Sequence, residues 1–269
     1  NPSGWLTPPV QVLTDNRAKA NEKNKKKAEK MTDLVTATNA MVKEDKIIVF
    51  KGKQTSGDKF ELTLPEGKYA SLRLELVPTA ESRRSILRDN ATSATIKLKL
   101  SLKHKGAAKP ETITFDHGMA DQADVRYASG SEIVGVRDAW KVGSGDLKTT
   151  HTAAWQFKSP ITAQAGDTLT ITLEDNAFGG LRWSLSPFAS VNPLQPELAE
   201  KLPALLSAKA TDKSPDVKWF QQLFLLSSQA DNNAVKELRD LRNQHLECRD
   251  GKAFSLITVA WEPTTTRIL

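Results

Sequence analysis

The densest grouping of acids and histidine in the chain is FDHGMADQAD, with Asp116, His117, Asp121 and Asp124. An imidazole beside carboxylates could serve as a general base or hold a metal ion. A polar loop between two strands explains the same residues more simply. The other histidines, His104, His151 and His245, are scattered. Asp167, Glu174, Asp175 and Asn176 fall at strand ends, where hard oxygen ligands could take Ca²⁺ and where turn chemistry also favours Asp and Asn. Cys248 is the single cysteine, so no intrachain disulfide forms. His245 lies three residues before it, and a helix-end thiol with an ordinary neighbour is the simpler reading of that pair. No P-loop, G-x-G-x-x-G, G-x-S-x-G, H-E-x-x-H or C-x-x-C-H pattern occurs.

Tryptophans are the remaining chemical signal. A tryptophan exposed on a sheet or loop stacks on a sugar ring, whereas one in an apolar register packs in a core. Trp183 shares parity with Leu181 and Leu185, and Trp155 with Ala153 and Phe157, so both are expected inside. Trp140, next to Arg137 and Asp138, is the best candidate for an exposed contact, although core packing also accounts for it.

The elements that must position these residues are mostly strands. DKFELTLPEG, YASLRLELVP, SATIKLKLSLKH, HTAAWQF, DTLTITLED and GLRWSLSPF alternate apolar and polar residues or carry short apolar runs between turn signals. About ten short strands with no strand-helix alternation predict a mainly β fold, an antiparallel β-sandwich or jelly roll, over residues 47–190. Ahead of it, residues 1–46 read as an extended segment and a Lys-rich helix. Met31, Leu34, Val35, Thr38, Met41 and Val42 recur at helical spacing, as if docking on the core. Behind it, residues 191–269 read as a helical pair and a terminal strand, FSLITVAWEP. Ser214 and Pro215 open one helix; Val235, Leu238, Leu241 and His245 form a stripe on the next.

The chain of 269 residues carries a net charge of +6. Seven cations between Arg17 and Lys30, against Glu22 and Glu29, contribute +5 of it. Without interleaved aromatics this reads as a solvated face rather than a nucleic-acid reader. No apolar run is long enough for a membrane helix, and NPSGWLTPP lacks a basic-then-apolar signal pattern.

The order YASLRLELVP, SRRSILRDNATSA, HTAAWQF, TLTITLED, GLRWSLSPF, then a helical pair through KELRDLR and a strand SLITVAWEPTTTRIL, resembles the middle region of large exported planctomycete and verrucomicrobial proteins of the cytochrome C type. The resemblance spans residues 47–269, without a haem motif or the two long flanking domains, and the loop SRRSILRDN carries less glycine than the family's. It implies a jelly roll similar to galactose-binding folds, within an exported, periplasmic or extracellular protein concerned with polysaccharide. Haem c would belong to the parent protein and not to this chain. The expected function is a non-catalytic module binding carbohydrate or another extracellular ligand, with Arg84, Arg88, Asp89, Asn90, Trp140 and His151 as contacts. The alternative is a scaffold holding neighbouring domains or chains together. A hydrolase using Asp116, His117 or His151 comes third.

Overall fold

The computed structural model describes residues 4–15, 34–36, 40–50, 59–128, 131–133, 135–143, 145–174, 177–189, 198–207 and 214–250. The chain is mainly β, built on two six-stranded antiparallel sheets. The first has the order β2 (Leu34–Thr36), β1 (Val10–Asp15), β5 (Lys59–Leu64), β15 (Asp167–Leu173), β8 (Leu98–Lys103), β9 (Glu111–Ile113). The second has the order β10 (Phe115–Ala120), β14 (His151–Ala163), β6 (Gly67–Leu76), β16 (Gly180–Ser186), β4 (Ile48–Phe50), β3 (Ala40–Val42). Two small ribbons pair β7 (Ala94–Ile96) with β13 (Trp140–Val142), and β11 (Tyr127–Ala128) with β12 (Ser131–Glu132). Thr114 alone separates β9 from β10, so one length of chain forms an edge of each sheet.

Alternation explains the first sheet. In β15, Leu169, Ile171 and Leu173 are buried while Thr168, Thr170 and Thr172 are half-buried, because successive side chains point to opposite faces. Leu169 sits between Leu62 and Leu102, and Ile171 between Phe60 and Leu100, which gives layered apolar rows across three strands. In the second sheet, Trp183 lies beside Leu74, and Trp155 beside Leu72. Phe60 of one sheet meets Trp183 of the other at 5.7 Å between ring centroids, joining both inner faces in one core. The expected burial of Trp155 and Trp183 is borne out. Burying each such ring removes roughly 150–250 Å² from water, on the order of 4–6 kcal/mol apiece.

The outer face of the second sheet is covered in part by helices. The described helices are α1 (Leu198–Ser207), α2 (Pro215–Ser228) and α3 (Asn232–Asp250). Ser214 caps α2 by accepting from Val217 N at 3.4 Å, with Pro215 in its first turn, as expected. Left-handed Gln229 ends α2, and Asp231 Oδ1 accepts from Asn233 N and Ala234 N at 2.9 and 3.1 Å to start α3. Leu226 and Val235 pack with Ala70 and Ala189 in a small second core. The buried face of α3 runs through Val235 and Arg242, with Leu238 partly buried. Leu241 is exposed, as is His245, which corrects the stripe expected there. Successive helical residues turn by about 100°, so burying Arg242 rotates Leu241 into water.

The N-terminal expectation is also corrected. Leu34–Thr36 pairs with β1, and Ala40–Val42 pairs with β4, so this stretch supplies edge strands where a docking helix was expected. Pairing partners set these three-residue strands, overriding a helical spacing that the composition also allowed. The Lys-rich stretch at 17–30 and the terminal strand FSLITVAWEP lie outside the described residues. No described helix is long and apolar enough to cross a membrane.

Candidate functional site

Strand register gathers several loops at one end of the molecule. Leu76, the last residue of β6, pairs with His151 at the start of β14 and with Leu181 near the start of β16. The segments 77–93, 121–126, 145–150 and 177–179 therefore join the second sheet at the same rim. Ile86 N donates to Leu147 O at 2.7 Å, Arg88 N to Ala177 O at 2.9 Å and Gly179 N to Ile86 O at 2.8 Å, which ties these segments together.

Two tight turns shape the segment after β6. Ser85 N donates to Ser82 O at 3.1 Å around Arg83 and Arg84, whose φ angles are 57° and 59°. Ala91 N donates to Arg88 O at 3.0 Å around Asp89 and Asn90, with φ of 56° and 59°. Two consecutive left-handed residues closed by such a bond match the I′ pattern, which ordinarily calls for Gly, Asn or Asp. Asp89 and Asn90 fit that rule; Arg83 and Arg84 do not. Ser82 fastens the first turn, accepting from Thr79 N at 3.2 Å and donating to Ser85 O. Gly179 lets this turn lie against the sheet, since a Cβ there would come within 2.2 Å of Ser82 Oγ and 2.7 Å of Ser85 O.

Between the turns lies a cleft of 680 Å³, lined by Phe50, Glu81, Arg83, Arg88, Asp89 and Asn90 among others. Arg88 is 6% exposed, and its guanidinium carbon stands 5.0 Å from the centre of the Phe50 ring. Its Nε lies 4.0 Å from Asp89 Oδ2. Arg83 Nη1 donates to Asn90 Oδ1 at 3.3 Å, linking the two turns. Lys43 approaches Glu81 at 3.3 Å. Hydrogen bonding within the turn, foremost to Glu81's own backbone, together with Lys43 holds the Glu81 carboxyl below its ordinary value.

Of the residues expected to contact a ligand, Arg88, Asp89 and Asn90 line this cleft, and Arg84 is exposed on the turn beside it. Arg83 belongs with them and was not expected; its position next to Arg84 in SRRSILRDN was the available signal. Trp140 corrects the expectation. It is fully buried, pairs with Ile96, packs edge-on against Trp155 at 6.2 Å and donates Nε1–H to Gln122 O at 2.7 Å. The loop-like sequence around it conceals a short ribbon, and no face of the indole is left for a sugar. His151 is 9% exposed at the same rim, with Nε2 at 2.8 Å from Asp146 O and Nδ1 at 3.4 Å from Asp121 Oδ2. Both ring nitrogens thus face acceptors of the protein itself, so His151 is engaged within the rim and lies outside the lining of the cleft.

The acid-histidine cluster has a packing role. A register shift between Phe115 and His117 inserts Asp116 as an extra residue in β10. Asp116 meets Arg242 and Arg239 of α3 there, and Arg242 Nη1 donates to Gln156 Oε1 at 2.8 Å. A second irregularity, in β14 between Gln156 and Ile161, exposes the Lys158 carbonyl, which accepts from Arg239 and from Gln229 Nε2. Burial draws the Arg242 guanidinium below its ordinary value, against the opposing charge of Asp116.

At the opposite end, Asp167 is fully buried and accepts from Lys105 N at 2.8 Å and Gln164 N at 2.9 Å, with His104 Nδ1 at 2.7 Å. Backbone hydrogen bonds first, then His104, hold its carboxyl below the ordinary value. His104 lines a 340 Å³ pocket with Glu111, Thr112, Ser159 and Thr162. Glu174 is bound to Lys99 and Lys97 at 3.0 and 3.5 Å, while Asp175 and Asn176 lie outside the described residues. Among the described residues no three His, Cys, Asp or Glu side chains converge to hold a metal ion. No known family model matches the chain, and no curated protein matches it.

Proposed function

We propose that this chain is a non-catalytic β-sandwich module that binds an extracellular saccharide in the rim cleft between Glu81 and Ala91. The observation that carries the reading is the pair of left-handed turns facing one cleft, in which Arg83 and Arg84 occupy backbone positions that L residues other than Asn and Asp disfavour. Strain of this kind persists where surrounding structure over-determines it, and it concentrates at ligand sites. Planar polar groups at the cleft, with Asp89 and Asn90 exposed beside Arg88, suit the vicinal hydroxyls of a sugar. In this reading the sandwich is a jelly roll of the galactose-binding type, within an exported parent protein whose haem lies elsewhere. The order of sandwich then helices supports that placement. Calcium at Asp167 or Glu174 has less support, because both carboxylates are engaged by the protein.

A panel of oligosaccharides screened by calorimetry, with hydrogen exchange to locate the contact, tests the module. Protection confined to residues 81–91 is expected. Absence of binding across the panel, or protection elsewhere, overturns it. The scaffold reading draws on Phe224 and Leu241, which are 60% and 55% exposed on α2 and α3. It predicts concentration-dependent association in light scattering, lost in Phe224→Ser; a monomer at all concentrations removes it.

A further inference from the structure

We infer that the rim cleft takes an anionic group, a carboxylate or a sulfate carried on a saccharide; this rests on the cleft being the ligand site. Its two turns differ in a telling way. Asp89 and Asn90 are residues that tolerate the left-handed region, since their short side chains bond locally. Arg83 and Arg84 gain nothing of that kind, and glycine would serve the backbone better at both φ angles of 57° and 59°. What arginine supplies at position 83 is a guanidinium in the lining of the cleft, and at position 84 an exposed positive charge on the turn beside it.

Neighbouring charges keep that guanidinium field positive. Arg83, Arg84 and Arg88 fall within six residues, and Arg88 is fixed in place against Phe50. Glu81 is occupied by Lys43 at 3.3 Å, and Asp89 lies 4.0 Å from Arg88. Arg83 and Arg88 of the lining, with Lys43 held on Glu81, stand against Glu81 and Asp89 and leave one positive charge in excess among these described groups, and Arg84 is exposed on the turn beside them. The bond from Arg83 to Asn90 spans the turns and sets the fork across the opening. A guanidinium fork matches the planar oxygens of carboxylate or the tetrahedral oxygens of sulfate through paired N–H donors, and such charge-assisted bonds are stronger than neutral ones.

The test compares three probes of equal length by calorimetry: an oligogalacturonate, a sulfated galactan oligomer and the neutral galactan oligomer. The two charged probes separate carboxylate from sulfate as the source of charge. One or both are expected to bind at least about tenfold tighter than the neutral probe. That advantage should shrink as salt rises from about 0.05 M to about 0.5 M. Arg83→Gly and Arg84→Gly keep the turn and remove the charge, and each should narrow the preference for the charged probe over the neutral one about tenfold. Arg84→Asn, which also tolerates the left-handed region, should behave as Arg84→Gly. Neutral and charged probes binding equally would overturn the anionic preference and leave the rim site standing. Unchanged affinity in both glycine variants would do the same. No binding by any probe would remove the rim site itself.

Discussion

Arg84→Gly should make this protein more stable, which is unusual for removal of a charged residue. Arg84 sits at φ 59°, exposed, in a turn whose closing bond joins Ser82 O to Ser85 N and not its own side chain. Holding an L residue there costs about 1–2 kcal/mol from the contact of Cβ with the following carbonyl. Glycine removes that cost and adds about 0.5–1 kcal/mol of unfolded-state entropy to be lost on folding. The net gain is about 0.5–1 kcal/mol. Urea unfolding followed by tryptophan fluorescence reads it directly, because Trp140, Trp155 and Trp183 are all buried. With a slope of about 2–3 kcal/mol per molar urea, the midpoint should rise by about 0.2–0.5 M. Arg84→Ala is the control: it deletes the same side chain beyond Cβ, keeps the strain and should not gain. A midpoint for Arg84→Gly at or below that of Arg84→Ala would refute the claim that backbone strain is stored in this turn.

Other perturbations probe the supports of the site. Gly179→Ala drives a methyl against Ser82 Oγ and the Ser85 carbonyl; it should cost about 1–3 kcal/mol and weaken rim binding, read by thermal melting and calorimetry. Arg242→Ala removes the donor to Gln156 Oε1 and the closer of the two described ion pairs of Asp116, so about 2–3 kcal/mol should be lost, with hydrogen exchange rising first in α3. Trp140→Phe should cost about 1–3 kcal/mol through the lost bond to Gln122 and a smaller ring, yet leave saccharide affinity unchanged; reduced affinity at full folding would restore it to the site. Acid should destabilise the fold through Glu75, where burial raises the carboxyl but the Arg182 hydrogen bonds and the charges of Arg73 and Arg182 outweigh it and hold it low. A carboxyl held low in the folded state contributes fully above its ordinary value, and the contribution is lost as pH falls through the folded value. Glu75→Gln should therefore lower stability at neutral pH and flatten the acid limb of a pH–stability curve; an unchanged limb would contradict this assignment.

Strands with one wet face were legible because water imposes the alternation. DTLTITL needs no tertiary information to place Leu169, Ile171 and Leu173 inside. Leu34–Thr36 and Ala40–Val42 were not legible, since Ala, Lys and Glu around them favour a helix locally. Pairing with Asp15 and Leu13, well back along the chain, makes the first a strand, and pairing with Ile48 and Phe50 across a tight turn makes the second one. Trp140 failed for the same reason: its partners, Ile96 and Gln122, are brought to it by the fold. The polarity of Arg84, Arg88, Asp89 and Asn90 was readable, but their backbone was not. An Arg-Arg pair carries none of the Gly or Asn signal by which a left-handed turn is recognised, and so Arg83 was overlooked.

The single residue Thr114 between β9 and β10 has a consequence for how copies of this protein can meet. Its carbonyl accepts from Lys158 N at 2.8 Å, so even the crossing point is hydrogen-bonded. One flank of the sandwich is thereby stitched shut, as the seam of a barrel would be. The strand entering the seam is three residues long and follows Pro110, which has no N–H to offer; the strand leaving it is bulged at Asp116. A foreign strand has little here to zip onto. Fibril-like growth through this flank is disfavoured, and a protein partner has the opposite flank, the loop-bearing ends or the helical face as its ways in.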